Sequence, residues 1–145
     1  YKEMSEEEIV QEACLHEPRH IVITGGEPAM QLTQSLIDKL HEAGFFVQVE
    51  TNGTMPLPEG IDWVTCSPKG QPVLESVDEL KVLYEGSGTD LSIADAVRAK
   101  EYRLQPLDTG DDMRNRMILR DTISYIMQHP RWSLSLLTHK LLGIK

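Results

Sequence analysis

Hydrophobic positions along this chain follow two patterns, a recurrence every three to four residues and a series of short apolar runs. The first pattern predicts four helices, at about residues 5–16, 30–43, 92–99 and 112–128. The second predicts six strands, at about residues 20–24, 45–50, 61–66, 79–84, 102–105 and 132–137. A tail follows at residues 138–145. Because strands and helices alternate, the pattern predicts an α/β fold with a parallel sheet covered by helices.

Several predicted helices have recognisable ends. Ser5 and Glu8 form the S-x-x-E pattern of a capping box at the start of the first helix. Pro28 is placed to open a helix, and Gly44 lies at a usual stop position for the second helix. The long helix at 112–128 has four apolar residues that we expect to be buried, namely Met117, Ile118, Ile123 and Ile126.

Polar or glycine-containing segments follow the apolar part of five predicted strands. They read TGGEP at 24–28, ETNG at 50–53, CSPK at 66–69, QPLD at 105–108 and LTHK at 137–140. Right-handed crossovers place the carboxyl ends of parallel strands on one edge of a sheet. Parallel α/β folds bind their ligands at that edge. The sequence therefore predicts a small-molecule site built from these segments.

The TGGEP segment is the most informative of the five. Gly25 and Gly26 allow the backbone to approach a ligand closely, and Glu27 places a carboxylate beside them. Such a loop suits a polar or zwitterionic small molecule. Each segment also has a purely structural interpretation, since Asn-Gly pairs are common in turns and tight strand-to-helix connections often contain glycine. Their order and placement together are more specific than any one of them.

Composition narrows the class of protein. The net charge of −9 argues against a nucleic-acid partner, which requires a cationic surface. No apolar run approaches the roughly 20 residues of a membrane span, so no membrane partner is expected. With only two cysteines, Cys14 and Cys66, a disulfide framework is not expected and a cytoplasmic location is favoured. We expect Cys14 on a helix face and Cys66 as a small buried residue of a strand.

The segments together resemble those of the 7-carboxy-7-deazaguanine synthases, a family of radical S-adenosylmethionine (SAM) enzymes. The resemblance rests on TGGEP, ETNGT at 50–54, SPK at 67–69, QPLD and the ending SLSLLTHK at 133–140. It extends from about residue 20 to the end of the chain. The GGEP loop marks the superfamily broadly, whereas the LSLxTHK ending is more particular to this family.

The resemblance implies a partial (β/α) barrel, with residues 1–145 in a single radical SAM domain that is truncated at its N-terminus. It implies SAM, a 4Fe–4S cluster and Mg²⁺ as cofactors, and flavodoxin or ferredoxin as electron donor. The implied reaction converts 6-carboxy-5,6,7,8-tetrahydropterin to 7-carboxy-7-deazaguanine with loss of ammonia, in queuosine and deazapurine biosynthesis. The resemblance further implies a place in a tRNA modification pathway and a homodimer.

The resemblance also implies which residues of this chain bind SAM and which bind the pterin. The residues expected at SAM are Gly25, Gly26, Glu27, Glu50, Asn52, Ser67, Pro68, Lys69, Gln105, Pro106, Leu107 and Asp108. The residues expected at the pterin are Thr24, His139 and Lys145, the last through its terminal carboxylate. No catalytic or metal-ligating residue is assigned within the chain.

The chain departs from the family pattern at its start. The cluster motif C-x3-C-x2-C is absent, and Cys14 and Cys66 cannot replace it. We interpret the chain as part of a longer protein, with the first strand, the cluster loop and the Mg²⁺ ligand upstream of Tyr1, and expect the 145 residues alone to be inactive. Leu137 and Lys145 also differ from the family's usual residues. Two alternatives stay open: an activating enzyme that generates a glycyl radical on a partner protein, and a cluster-free SAM- or nucleotide-binding module.

Overall fold

The computed structural model describes residues 3–144, except for the side chains of His139 and Leu141. It divides the chain into two compact units, Tyr1–Leu74 and Glu75–Lys145. The two units are described separately below. The single domain expected over residues 1–145 stays a prediction.

Helices and strands alternate in the second unit, whereas in the first unit the last two strands follow each other without a helix between them. The order of helices and strands is the one that the sequence pattern predicts. In the described part of the first unit the elements are α1 (Glu6–Cys14), β1 (His20–Ile23), a 3₁₀ turn (Pro28–Met30), α2 (Gln34–Glu42), β2 (Phe46–Thr51) and β3 (Trp63–Cys66). In the described part of the second unit they are β4 (Ser76–Tyr84), α3 (Ile93–Ala96), β5 (Arg98–Pro106), α4 (Asp112–Gln128), β6 (Trp132–Leu134) and α5 (Thr138–Leu142).

The strands of the first unit are parallel, in the order β1–β2–β3. Ile23 pairs with Val49 near the end of β1, and Thr51 pairs with Cys66 where β2 and β3 end. Val47 and Val49 alternate toward one face of β2 and are fully buried, in one cluster with Ile37 of α2. The carboxyl ends of the three strands therefore lie on one edge, which confirms the predicted parallel arrangement for this unit.

Polar contacts fix the helices of the first unit. Ser5 and Glu8 form the predicted capping box, with the Ser5 amide donating to Glu8 Oε2 at 2.7 Å. Lys39 of α2 pairs with Glu6 of α1 at 2.8 Å. The second helix begins later than predicted because Pro28 opens a separate 3₁₀ turn, and the Thr33 side chain caps α2 instead.

The strands of the second unit are also parallel, in the order β4–β5–β6. Both β4 and β5 begin earlier than predicted, at Ser76 and Arg98, and the helix predicted at 92–99 ends at Ala96. The charged start of β5 is compatible with a strand because Lys100 pairs with Asp78 of β4 at 2.6 Å. This ion pair is a long-range contact that local sequence pattern does not reveal.

Only part of the predicted burial in α4 is confirmed. Ile118 is buried and Ile126 is half-buried. Met117 and Ile123 are 64% and 42% exposed, so the prediction was wrong for these two residues. The cause is geometric: consecutive helical residues lie about 100° apart, and the face of α4 that contains Ile118 and Thr122 is the one covered by the unit.

The end of the chain contains a helix where the sequence pattern predicted only a tail. Strand β6 stops at Leu134, three residues before its predicted end, and Thr138–Leu142 form the short helix α5. Among the described residues, no helix has both the length and the apolar character needed to cross a membrane.

Candidate functional site

The loop after β1 presents open backbone. Gly25 and Gly26 have φ angles of 85° and 58°, in the left-handed region that favours glycine. A β-carbon added at either glycine would meet no atom within 4 Å. Thr24 precedes them and is also exposed. The loop therefore leaves backbone groups accessible at the carboxyl end of a strand, as the sequence predicts.

A cleft of about 780 Å³ adjoins this loop. It is lined by the loop, by the start of α1 and by the segment that leads into α2; its lining includes Thr24, Gly25, Gly26, Glu27, Met30 and Leu32. Small-molecule sites are commonly clefts of roughly 300–1,000 Å³. The cleft thus has the size and the glycine-lined wall expected of a cofactor site.

The Glu27 carboxylate joins this loop to the end of β2. Its Oε1 accepts hydrogen bonds from the Thr51 hydroxyl at 2.6 Å and from the Ala29 amide at 3.1 Å. Its Oε2 accepts one from the Asn52 amide at 2.8 Å. Partial burial alone raises the pKa of the Glu27 carboxyl, but the three hydrogen bonds and the charge of Lys69 together hold the pKa below its ordinary value. Glu27 is therefore a carboxylate at neutral pH.

The segment at the end of β2 is tightly built. Thr51 is buried, and its hydroxyl oxygen accepts a hydrogen bond from the Gly53 amide at 3.1 Å. The Asn52 side-chain oxygen accepts from the Thr54 amide at 2.8 Å, so it is engaged within its own turn. Gly53 is buried with φ of 77°, and a β-carbon there would lie 2.7 Å from Cys66 Sγ. Glu50 is half-buried, on the opposite side of the strand from Thr51.

The segment after β3 lies beside the end of β2. The Ser67 amide donates to the Thr51 carbonyl at 2.8 Å, and Lys69 is exposed. The charge of Lys69 contributes to the low pKa of Glu27, which places it in the same electrostatic environment. The structure thus brings TGGEP, ETNG and SPK together on one edge, as predicted. The contacts that Ser67, Pro68 and Lys69 make with a ligand stay predictions.

The QPLD segment belongs to the second unit. Gln105 and Pro106 end β5, and the Leu107 amide donates to the Tyr84 carbonyl at 3.0 Å. Asp108 Oδ1 accepts from the Gly110 amide at 3.0 Å and from Asn115 Nδ2 at 2.8 Å. The Lys140 ammonium, which pairs with Oδ2, lowers the pKa of Asp108 to about 2 together with these two donors.

The pterin-binding roles expected of the two tail residues, His139 and Lys145, stay predictions. The His139 side chain and the whole of Lys145 lie outside the described residues. The neighbouring Lys140 pairs with Asp108, so α5 is held to the loop that follows β5.

Neither cysteine forms part of a metal site in the described residues. Cys14 is exposed on α1, whereas Cys66 is buried at the end of β3, where burial and the charge of Glu27 raise the pKa of its thiol to about 11. Among the described residues, no group of three or more His, Cys, Asp or Glu side chains is placed to hold a metal ion. These residues therefore do not supply the cysteine thiolates that hold a 4Fe–4S cluster.

Sequence reasoning assigned no role to Thr51 and Gly53. The signal for Thr51 was present, because it shares a two-residue alternation with the buried Val47 and Val49 and a buried hydroxyl needs a partner. The role of Gly53 depends on contact with Cys66, 13 positions along the chain, which no local pattern reveals.

The fold and the site together define a class of protein. Parallel strands, a glycine loop at their carboxyl ends and an adjoining cleft are the features of an α/β protein that binds a small molecule at that edge. The relatives of the chain narrow this class to one family.

Three relatives share the same name, 7-carboxy-7-deazaguanine synthase. The protein from Bacteroides thetaiotaomicron is 46% identical over 144 residues, which cover 98% of this chain and 74% of the relative. The protein from Bradyrhizobium diazoefficiens is 41% identical and covers 88% of this chain and 60% of its own length. The protein from Nitratidesulfovibrio vulgaris is 43% identical, with coverages of 86% and 59%. The chain belongs to the 7-carboxy-7-deazaguanine synthase family, a family of enzymes.

A solved structure shows the same fold. QueE from Escherichia coli superposes with a TM-score of 0.68 at 28% identity, over 92% of this chain and 64% of that one. This likeness confirms the predicted α/β class. No model of a known protein family matches the chain. The chain spans about 60% of the length of several of its relatives and 64% of QueE.

Proposed function

We propose that this chain supplies the SAM- and substrate-binding part of a radical SAM lyase, a 7-carboxy-7-deazaguanine synthase. The observation that carries the proposal is the open Gly25–Gly26 backbone beside the 780 Å³ cleft, in a chain 46% identical to a relative of that name. The shared name favours this reaction over glycyl-radical activation and over a cluster-free binding module.

The loop after β1 fits the methionine part of SAM. An ammonium group requires hydrogen-bond acceptors, and a glycine loop offers carbonyl oxygens that no side chain shields. Because the Glu27 carboxylate is already bonded to Thr51, Asn52 and Ala29, these carbonyl oxygens are the acceptors that we assign to the ammonium. When bound, SAM supplies the hydrogen-abstracting chemistry of the reaction.

The described residues supply neither the thiolates of a 4Fe–4S cluster nor a group of three or more metal-ligating side chains, and the motif C-x3-C-x2-C is absent from the 145 residues. We propose that residues outside this sequence hold both groups. It follows that the 145 residues alone should not support turnover, even if they bind SAM.

The proposed substrate is 6-carboxy-5,6,7,8-tetrahydropterin, with 7-carboxy-7-deazaguanine and ammonia as products, in the queuosine pathway. Thr24, His139 and the terminal carboxylate of Lys145 are the groups assigned to the pterin. Flavodoxin or ferredoxin as reductant, a homodimeric state and a cytoplasmic location belong to the same proposal.

The test uses protein expressed from the complete gene and reconstituted with iron and sulfide. With SAM, dithionite and the pterin, mass spectrometry should detect 7-carboxy-7-deazaguanine. The His139→Ala variant should retain SAM affinity by calorimetry but form product more slowly, because His139 is assigned to the substrate alone. Protein that binds SAM and carries its cluster yet forms no product from the pterin would contradict the proposed substrate.

A further inference from the structure

We propose that Glu27 is a positioning residue: its carboxylate holds the Gly25–Gly26 loop against the end of β2 in the orientation that receives SAM. This assigns to Glu27 a role other than direct contact with the methionine ammonium. The inference rests on the proposed function and deepens it. We call the set of contacts among Glu27, Ala29, Thr51 and Asn52 the Glu27 latch.

Both carboxylate oxygens of Glu27 are engaged by the protein. Oε1 accepts from Thr51 at 2.6 Å and from Ala29 at 3.1 Å, and Oε2 accepts from Asn52 at 2.8 Å. These three bonds fill most of the roughly four acceptor positions that a carboxylate offers. A ligand ammonium that claimed the same oxygens would have to compete with donors that are already in place.

The loop has no side chain between Thr24 and Glu27 that could hold it in place. Gly25 and Gly26 have no side chains, both have positive φ, and neither packs closely enough that an added β-carbon would touch a neighbour. Glu27 is the next residue, and its side chain reaches residues 24 and 25 positions further along the chain. The position of the glycine backbone therefore depends directly on the Glu27 latch.

The other half of the latch is rigidly placed. Thr51 is only 4% exposed, at the end of a strand that pairs with both of its neighbours. Its hydroxyl donates to Glu27 and accepts from the Gly53 amide, so its orientation is fixed by two bonds. Because the Glu27 carboxylate is bonded to this fixed hydroxyl, it holds the loop after β1 in a defined position relative to β2.

The experiment compares Glu27→Gln, Thr51→Val, their double variant and Thr51→Ser in protein from the complete gene, reconstituted with its cluster. Glutamine replaces one acceptor with a donor facing the Asn52 amide, and valine removes the Thr51 hydroxyl while keeping its shape. Each should weaken SAM binding about tenfold by calorimetry. The double variant should lose little more than either single variant because both break the same latch. Thr51→Ser should stay within about twofold of the wild type, because it retains the hydroxyl.

A second readout does not depend on SAM. In the free protein, Glu27→Gln and Thr51→Val should speed hydrogen exchange in segments 24–30 and 51–54, while α2 keeps its protection. Glu42→Gln, at the exposed end of α2, is the matched control and should change neither exchange nor affinity.

The outcomes separate a positioning role from direct contact with the ligand. If Glu27→Gln weakens SAM binding while exchange is unchanged and Thr51→Val binds normally, Glu27 contacts SAM directly and the inference is overturned. Faster exchange with unchanged SAM affinity would also overturn it. If the wild type binds no SAM, the proposed function fails, and the exchange data still decide whether the latch holds the loop.

Discussion

Two carboxylates that follow strands, Glu27 after β1 and Asp108 after β5, are held by the protein in different ways. Glu27 is partly buried and accepts hydrogen bonds from a hydroxyl and two backbone amides. Asp108 has a side chain that is 34% exposed, and the Lys140 ammonium is its main partner. Both have a lowered pKa. For Glu27 burial raises the pKa, but three neutral donors, with a smaller contribution from the charge of Lys69, outweigh this effect. For Asp108 the hydrogen bond from Lys140 is the largest cause, followed by the Gly110 amide and Asn115.

The difference shows that carboxylate groups can serve two loops in different ways. Neutral donors around a partly buried carboxylate are insensitive to salt and fix geometry, whereas an exposed ion pair is screened by salt and contributes little to stability. The Glu27 latch is thus suited to shaping a ligand-binding loop. The Asp108–Lys140 pair instead links the short helix α5 to the loop after β5.

The largest effect should come from Gly26→Val. A β-branched side chain at φ of 58° is strained by about 1–2 kcal/mol and would occupy the open space in front of the loop. We expect calorimetry to detect no SAM binding by this variant. Gly44→Val is the control, because Gly44 also has positive φ and open surroundings but lies after α2. Equal loss of SAM affinity in both variants would show that strain, and not the site, is responsible.

The next largest effect is a difference in stability between alanine variants of two glycines. Gly53 in the first unit and Gly110 in the second have the same φ of 77°. Gly53→Ala adds a β-carbon 2.7 Å from Cys66 Sγ, whereas Gly110→Ala meets nothing within 4 Å. Chemical denaturation should show a loss of about 2–4 kcal/mol for Gly53→Ala and about 1–2 kcal/mol for Gly110→Ala. Similar losses would mean that the end of β2 is no more tightly packed than the loop after β5.

A smaller effect is expected in how the contribution of each carboxylate to the free energy of unfolding depends on salt concentration. Thr51→Val should lower the free energy of unfolding by about 1–3 kcal/mol at both low and high ionic strength. Lys140→Gln should have a smaller effect that disappears at high salt, because it removes a screened ion pair. A salt-dependent loss for Thr51→Val would contradict the description of Glu27 as held by neutral donors.

The smallest effect is the dependence of stability on pH. A carboxyl whose pKa is lowered by folding stabilises the protein above its unfolded value, and this stabilisation is lost as pH falls through the folded value. For Glu27 the loss begins below about 4.5, and for Asp108 it extends from about 3.8 to about 2. Urea titrations should show a shallower decline for Glu27→Gln in the upper part of this range and for Asp108→Asn in the lower part. Identical profiles for both variants and the wild type would exclude both assignments.

The local sequence pattern predicted much of the fold and several of the segments that form the site. The capping box at Ser5, the glycine loop after β1 and the parallel strand ends of the first unit follow from periodicity and turn chemistry. The partners of Glu27 do not, because Thr51 lies 24 positions away and is brought near only by the pairing of β1 with β2.

Burial on α4 was predicted incompletely for a similar reason. Apolar spacing shows that Met117 and Ile118 are suited to a helix, but it does not show how many faces of the helix are covered. The start of β5 was missed because its charged residues find partners on β4, as Lys100 does with Asp78. In both cases contacts between residues far apart in the chain determine the structure, and a local pattern does not contain them.

The central claim is that the glycine loop after β1 receives SAM while Glu27 keeps the loop in place. The most direct measurement is a crystal structure of the protein from the complete gene with SAM and the pterin bound. It should show the methionine ammonium at the backbone of Gly25–Gly26, with Glu27 still bonded to Thr51 and Asn52. SAM bound away from this loop, or a Glu27 carboxylate turned from Thr51 to the ammonium, would contradict the account.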